Sequence, residues 1–287
     1  RDADGDISPA TLTITIHGGS DGPAAIDDMN FVKVGEPTMI NAVVIFDHSG
    51  SMADPVPGTG LTRLQLAKQA VLEFASQDNV ASLRIIGFDD NITTADISGW
   101  FNVNTSAGIA ALDTFMDITS GGGTNNFIAD GNTDYDSAIA ALQNNWVDPP
   151  AGADLTNVYF LSDGKPTGED SGNPNSINTN ERTAWENFLA TKGINATFAI
   201  GVGGDLVASD PDLQAVAFPN SDNPETNLDD NHVIVINDAD TLTQTLVDTL
   251  PPAVQGNVIA GLGNPDSAAP DSDPDNSIDE LTVVAVA

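Results

Sequence analysis

Short apolar runs alternate with helical patterns between residues 38 and 250, and this alternation limits the possible folds more than any other feature. Residues 39–46 are almost continuously apolar, as in a buried strand, whereas residues 61–74 repeat apolar side chains at helical spacing. The same patterns predict strands at 81–88, 97–103, 157–161, 195–202 and 232–236, and helices at 107–118, 135–146, 181–189 and 242–250. Strands that alternate with helices require right-handed crossovers. The sequence therefore predicts a doubly wound α/β domain, with a mostly parallel sheet and helices on both faces.

The two flanks differ in pattern from this central region. Residues 11–16 alternate polar and apolar side chains, as in a half-buried strand, and residues 281–286 are also strand-like. We expect these two strands to lie near each other in a small β extension. The predicted division of the chain is a terminal β segment with a linker (1–36), the α/β domain (37–252) and a C-terminal β and loop extension (253–287).

Acidic residues dominate the composition, with 42 Asp and Glu against 8 Lys and Arg in 287 residues, for a formal net charge of −34. Nothing in the chain could neutralise a run of phosphates, and an anionic membrane would repel it, so we expect neither nucleic acid nor membrane as a partner. No apolar run is long enough for membrane insertion. The absence of Cys excludes disulfides and thiolate metal sites.

The acidic residues are mostly Asp, with 35 Asp against 7 Glu. Short carboxylates in tight loops favour Ca²⁺ ligation over a halophilic solubility coat.

Oxygen-bearing side chains follow two of the predicted strands at the point where each strand ends. The first strand runs directly into the turn Asp47-His48-Ser49-Gly50-Ser51, and the strand at 157–161 runs into Ser162-Asp163-Gly164. In doubly wound sheets, ligands bind at the carboxyl ends of strands where the strand order reverses. If the two strands are neighbours, Asp47 and Asp163 face each other. Carboxylates and hydroxyls are hard donors that suit Mg²⁺, Mn²⁺ or Ca²⁺.

This combination resembles the von Willebrand factor A domain and its metal-ion-dependent adhesion site (MIDAS), over about residues 38–250. The resemblance implies a Rossmann-like α/β fold and a divalent cation, Ca²⁺ or Mg²⁺. It implies that Asp47, Ser49 and Ser51 are ligands and that Asp163 holds the cation through water. An acidic group of the partner would fill the open coordination position. The role of the metal would then be binding and not catalysis.

Two threonines compete for one further ligand position. The family pattern Gly-Gly-Thr-Asn-Tyr precedes a helix, and an insertion splits it here, so that residues 122–125 match its front half and residues 133–139 its back half. The ligand should lie immediately before the helix, because its hydroxyl must reach over the edge of the sheet. That position favours Thr133, with Thr124 as the alternative.

The N-terminal flank, over about residues 1–23, resembles the closing strand of the repeated β-sandwich modules of bacterial RTX-type adhesins. This resemblance implies a large protein secreted by a type I system, with an extracellular location on the bacterial cell surface. The chain lacks an initial Met and ends on an apolar run, so we expect a piece of a longer protein. Neighbouring adhesin domains of the same chain would be its contacts, and we expect a monomer.

Two acidic runs in the flanks, at residues 2–6 and 271–275, alternate carboxylates as at the start of a Ca²⁺ loop. Position twelve of the second run is Thr282 and not Glu, so neither run is an EF-hand. Additional Ca²⁺ at these runs and a solvated acidic turn are the two alternatives.

The function expected from these features is that of a metal-dependent adhesion module that captures a protein or cell-surface partner through an acidic group. Three alternatives are a spacer whose ion only stiffens the fold, an intracellular subunit of a AAA+ chelatase-type complex, and a metallohydrolase. The adhesin-like flank and the Asp excess oppose the intracellular alternative. His48 lies beside the serines, but adjacent residues do not usually point at each other, and no G-x-S-x-G motif surrounds it. We therefore expect no enzymatic activity.

Overall fold

The computed structural model describes residues 38–118, 127–170, 173–203, 205–219 and 231–251, and Thr38–Pro251 is one compact unit. The strands are β1 (Ile40–Asp47), β2 (Val80–Phe88), β3 (Leu155–Ser162), β4 (Glu169–Asp170), β5 (Asn173–Pro174), β6 (Ala196–Val202) and β7 (Val233–Ile236). Five of them form one parallel sheet in the order β2-β1-β3-β6-β7, and β4 and β5 form a separate antiparallel pair. The predicted parallel α/β fold is confirmed.

The described part of the chain contains six α-helices, of which five lie between strands and the last follows β7. They are α1 (Arg63–Ala75), α2 (Ser106–Phe115), α3 (Tyr135–Asn144), α4 (Thr179–Lys192), α5 (Pro211–Val216) and α6 (Leu242–Asp248). Local sequence explains where they begin: Thr62 and Gln65 form a capping box at the start of α1, and Asn178 starts α4 in the same way. Three short 3₁₀ turns lie at Gly50–Ala53, Thr94–Asp96 and Ala239–Thr241.

The sheet separates two hydrophobic cores. Successive side chains of a strand point to opposite faces, so Val44 and Phe46 pack with α1, α2 and α6, whereas Val43 and Ile45 pack with α3, α4 and α5. All eight residues of β1 are buried. This double burial explains why β1 is an almost continuous apolar run in the sequence.

The order of the strands reverses between β1 and β3. The chain leaves β1 for β2 on one side and later returns to β3 on the other, where Phe46 pairs with Leu161. The sequence left open whether these two strands are neighbours, and the structure shows that they are. The carboxyl ends of β1 and β3 flank a topological switch point, the usual place for a ligand site in such sheets.

Several elements differ from the sequence prediction, among them the two-residue strands β4 and β5, which were not predicted. Residues 97–103 form no regular strand, since Ile97 and Phe101 make only isolated antiparallel bridges to β2. The Oγ of Ser98 accepts the hydrogen bond of Ile85 N in place of a backbone carbonyl, which interrupts the ladder. Helix α5 was not predicted, because its six residues are too few to show a helical period.

The predicted flanking strands at 11–16 and 281–286 and the acidic runs at 2–6 and 271–275 lie outside the described residues. The domain boundaries at 36/37 and 252/253 stay predictions. Within the described ranges, no helix combines the length and the apolar character needed to cross a membrane.

Candidate metal centre

The structure places four predicted ligand oxygens in one hydrogen-bonded chain at the switch point. Thr133 Oγ1 donates to Ser49 Oγ at 3.0 Å, and Ser49 Oγ lies 3.3 Å from Ser51 Oγ. Ser51 Oγ donates to Asp163 Oδ1 at 2.6 Å. Three separate loops, following β1, preceding α3 and following β3, therefore bring their oxygen atoms together.

Asp47 lies beneath this chain as the last residue of β1, with no exposed surface. Its Oδ1 accepts the backbone N–H of Ser49 at 2.8 Å, and its Oδ2 accepts the hydroxyl of Ser162 at 2.5 Å. Burial, together with the nearby charge of Asp163, raises the pKa of Asp47 to about 7, although the hydrogen bonds from Ser162 and Ser49 act to lower it. A cation at the site would favour the ionised carboxylate.

Backbone and side-chain hydrogen bonds fix the position of Thr133. Thr167 N donates to Thr133 O at 2.9 Å, and Thr133 N donates to Thr167 Oγ1 at 3.2 Å. Asp134 then caps α3 by accepting Ser137 N at 2.9 Å. These contacts hold the Thr133 hydroxyl, which is almost fully buried, against Ser49. Thr124, the alternative ligand, lies outside the described residues.

The loop that carries Asp163 is tied to the start of α3. Tyr135 Oη donates to Gly164 O at 2.8 Å, and burial is the main cause that raises the pKa of this tyrosine well above its ordinary value. Tyr135 therefore remains a hydrogen-bond donor at neutral pH. The bond joins the two loops that present Thr133 and Asp163, so it helps to set their separation.

Arg63 is a site residue that the sequence interpretation missed. Its Nη1 donates to Asp163 Oδ2 at 2.7 Å and lies 3.8 Å from Asp54 Oδ2. Both carboxylate oxygens of Asp163 thus have hydrogen-bond partners, Ser51 on one and Arg63 on the other. A signal was present: the helix that follows β1 begins at the edge where β1 ends, so the first residue of α1 lies beside the site.

The imidazole of His48 is directed away from the serines. Its Nδ1 lies 3.3 Å from Ile128 O and 3.8 Å from Asp89 Oδ2, and its ring packs edge-on against Phe127. Among the described residues, no hydrogen bond joins this ring to Ser49 or Ser51. The contacts agree with the expectation that adjacent residues of the turn point in different directions.

An open cavity of about 380 Å³ lies over the hydroxyls. Its rim carries both signs of charge: Arg63 and Lys165 are basic, and Asp54 and Asp205 are acidic. Lys165 also lies 3.2 Å from Asp210. A partner group that enters the cavity therefore meets cationic as well as anionic side chains.

The donor set fits a hard divalent cation. The consecutive hydroxyl oxygens of Thr133, Ser49 and Ser51 are 3.0 and 3.3 Å apart, and neighbouring ligands of an octahedral ion with bonds of 2.0–2.1 Å are about 2.9 Å apart. Oxygen donors of this kind suit Mg²⁺, Ca²⁺ or Mn²⁺. Within the described ranges, no three His, Asp or Glu side chains assemble into a metal-binding group, so hydroxyls would have to supply much of the coordination.

Solved structures similar to this chain are distant in sequence. Proximal thread matrix protein 1 from the mussel byssus is 18% identical with a TM-score of 0.46, over 74% of this chain and 46% of that protein. The pilus adhesin SpaC of Lactobacillus rhamnosus GG is 13% identical with a TM-score of 0.48, over 74% of this chain and 30% of that one. The von Willebrand factor domain of the pilus tip protein Mfa5 of Porphyromonas gingivalis is 12% identical with a TM-score of 0.46, over 77% of this chain and 98% of that domain.

This chain thus spans about half the length of the mussel protein and less than a third of SpaC. One of the similar structures is a von Willebrand factor domain, the family that the motifs resemble. No family model matches the chain, and no curated protein matches it.

Proposed function

We propose that this domain is a metal-ion-dependent binding module that captures a carboxylate-bearing partner. The observation that carries the proposal is the continuous chain of oxygens from Thr133 through Ser49 and Ser51 to Asp163, directly above the buried Asp47. Asp47, Ser49, Ser51 and Thr133 would hold the cation, with Asp163 acting through water. A bound cation would offer an open coordination position to an acidic oxygen of the partner.

The residues around the site position the ligands and shape the opening for the partner. Ser162 and the backbone of Ser49 orient the Asp47 carboxylate. Arg63 compensates the charge of Asp163 and, with Lys165, adds positive charge at the cavity rim. A carboxylate that enters the cavity would therefore be attracted by these side chains as well as by the cation.

The choice of cation follows from the donor types. One structure of the mussel byssus protein has a zinc-occupied MIDAS motif, and the TRAP protein of Plasmodium vivax was solved loaded with manganese. The present site offers only oxygen donors, for which Mg²⁺ or Ca²⁺ is our proposal. The Asp-rich composition favours an extracellular setting, where Ca²⁺ is abundant.

The proposed setting is a large secreted adhesin on a bacterial cell surface. It rests on the adhesin-like pattern of the N-terminal flank and on the excess of Asp over Glu. The partner would be a protein or a cell-surface group with an exposed carboxylate, and no catalytic step is part of the proposal.

Metal titration of the EDTA-treated protein tests the site. Isothermal titration with Mg²⁺ and Ca²⁺ should show binding at this site, and Asp47→Ala should weaken its affinity by at least about 100-fold, because a directly bound carboxylate is lost. Asp78→Ala removes an exposed carboxylate that precedes β2 at the other end of the sheet and should leave the affinity unchanged. Equal affinity in Asp47→Ala and the native chain would exclude the proposed site.

Capture on matched surfaces separates a binding module from a spacer whose ion only stiffens the fold. With the metal present, the protein should be retained on a carboxylated dextran surface more strongly than on an amidated one, and EDTA should abolish the difference. Metal-dependent thermal stabilisation without carboxylate capture would favour the spacer function.

A further inference from the structure

Two cations in the described part of this acidic domain have no carboxylate partner. Of the 8 Lys and Arg, Arg1 and Lys33 lie outside the described residues, which leaves six. Four of these form ion pairs: Arg63 with Asp163, Lys68 with Asp113, Lys165 with Asp210, and Arg182 with Glu186. The other two, Arg84 and Lys192, both adjoin Trp146: Arg84 lines the same cavity, and Lys192 Nζ lies 5.8 Å from the ring centroid.

Arg84 is a buried charge whose hydrogen bonds are incomplete. It lies within β2, and only 2% of its surface is exposed. Its Nε donates to Ser98 O at 2.9 Å and its Nη2 to Asn145 O at 2.6 Å, whereas Nη1 has no partner in the described part of the chain. Burial lowers the pKa of the guanidinium, but arginine remains charged at neutral pH. A buried charged donor without a protein acceptor is a place where an external acceptor can bind.

The cavity beside Arg84 is open to solvent, and its volume is in the range of small-ligand sites. Its volume is about 340 Å³, and its other lining residues are Thr94, Ile97, Asn145, Trp146 and Val147. Such sites typically have volumes of about 300–1,000 Å³ and combine apolar walls with a few polar groups. None of these residues lines the cavity at the metal centre. We call this cavity the side pocket.

The frame of the side pocket is held together by hydrogen bonds. Trp100 Nε1 donates to Val147 O at 3.1 Å, and the Arg84 bonds to Ser98 and Asn145 join the same two segments. The pocket is thus built between the edge segment beside β2 and the residues that follow α3. The partly buried ring of Trp146 forms an apolar wall, while the hydroxyl-bearing Thr94 is exposed.

We propose that the side pocket binds a small carboxylate of monosaccharide size, such as a hexuronate, with its carboxylate on Arg84 and its ring against Trp146. Arginine is well suited to carboxylates, and Nη1 is the guanidinium nitrogen without a partner in the described part of the chain. Because Nη1 has almost no exposed surface, the side chains that cover it must shift for a direct hydrogen bond to form. Lys192 supplies a second positive charge at the ring of Trp146. The exposed Asp148 opposes binding, since its Oδ1 accepts Trp146 Nε1 at 2.7 Å and its charge repels an anion.

The test is a titration of the full chain with sodium glucuronate, followed by NMR of the tryptophan indole N–H signals. Passage of the protein and buffer over a chelating resin beforehand removes any cation from the metal centre without adding a soluble carboxylate, so that this result is independent of the proposed function. An ionic strength of about 0.15 M limits long-range repulsion from the acidic surface. Trp146→Phe identifies the Trp146 signal. We expect a saturable shift of that signal with glucuronate and a much weaker one with glucose, which has similar size but no charge.

Variants at exposed positions keep the test independent of folding. Lys192→Gln should weaken glucuronate binding by about threefold and Asp148→Asn should strengthen it by about threefold, the size typical of exposed charge interactions. Arg84→Met should weaken it by at least about tenfold. The absence of a saturable shift, equal binding of glucose, or unchanged affinity in both exposed variants would overturn the proposal.

Discussion

Buried charge is compensated in two different ways in this domain. At the metal centre, Asp47 and Asp163 are surrounded by hydroxyls, a backbone N–H and the guanidinium of Arg63. At the side pocket, Arg84 has only two backbone carbonyls and keeps one nitrogen without a partner in the described part of the chain. The difference follows from topology. Loops from several strands and helices converge at the carboxyl ends of β1 and β3, whereas the interior of an edge strand has few neighbours that can supply a counter-charge.

The two proposals assign ions of opposite sign to the two sites. The metal centre holds negative charge that a cation would stabilise, and the side pocket holds positive charge that an anion would stabilise. Four predictions test this separation, in order of decreasing effect.

The first prediction concerns the stability of the metal-free protein as the pH changes. The pKa of Asp47 rises from 3.8 to about 7 on folding, so the folded state retains the proton that the unfolded state loses. Its contribution to stability is therefore full below about pH 4 and is lost as the pH rises to about 7, a change of about 4 kcal/mol. Asp47→Asn removes the titrating carboxylate, so this loss of stability should not occur in the variant. At pH 8 in EDTA, Asp47→Asn should therefore be more stable than the native chain.

Urea denaturation at several pH values measures this effect. Asp78→Asn, which removes an exposed carboxylate elsewhere, should retain the native pH profile. Saturating Mg²⁺ or Ca²⁺ should abolish the difference at high pH, because the cation stabilises ionised Asp47 in the native chain. Identical profiles for Asp47→Asn and the native chain in EDTA would show that this carboxylate does not titrate as described.

The second prediction decides between the two threonines. Thr133→Val keeps the shape of the side chain but removes the hydroxyl that contacts Ser49, and should weaken metal affinity by about 10–100-fold, as for other groups that coordinate or orient ligands. Thr124→Val should leave the affinity unchanged. Calorimetric titration of both variants measures the difference, and the opposite result would assign the ligand to Thr124.

The third prediction concerns the competition between Arg63 and the metal. Both interact with Asp163, and the positive charge of Arg63 repels a cation nearby. Arg63→Met should therefore strengthen metal affinity by about tenfold. A change of this size is expected when the repulsion between a partly exposed guanidinium and a nearby cation is removed. Lys68→Met, in the same helix but paired with Asp113, is the matched control and should have no effect. Weaker metal binding in Arg63→Met would show that Arg63 mainly organises the ligands.

The fourth prediction is the smallest effect and tests the independence of the two sites. Arg84→Met should change metal affinity by less than about twofold, because sites without shared partners usually behave additively. Calorimetric titration with Mg²⁺ measures it, after circular dichroism has confirmed that the variant is folded. A larger change would mean that the edge of the sheet and the switch point are coupled.

Sequence patterns were sufficient for the parts of the molecule that depend on local order. The apolar run of β1 and the residues that follow it predicted both the buried strand and the turn that carries Asp47, Ser49 and Ser51. Asp163 was predicted because it directly follows another apolar strand. The edge segment at 97–103 was predicted wrongly, because the apolar residues of an interrupted bridge look the same in sequence as those of a paired strand.

The sequence by itself determined the parallel α/β fold and the oxygen donors next to the strands, since hydrophobic period and turn chemistry are read over a few neighbouring residues. Only the tertiary structure decided which distant groups meet. Arg63 reaches Asp163 across 100 positions, and Thr133 reaches Ser49 across 84. Arg84 likewise meets Asn145 across 61 positions. Such contacts depend on strand order and on the direction of each side chain, and these are properties of the packed sheet.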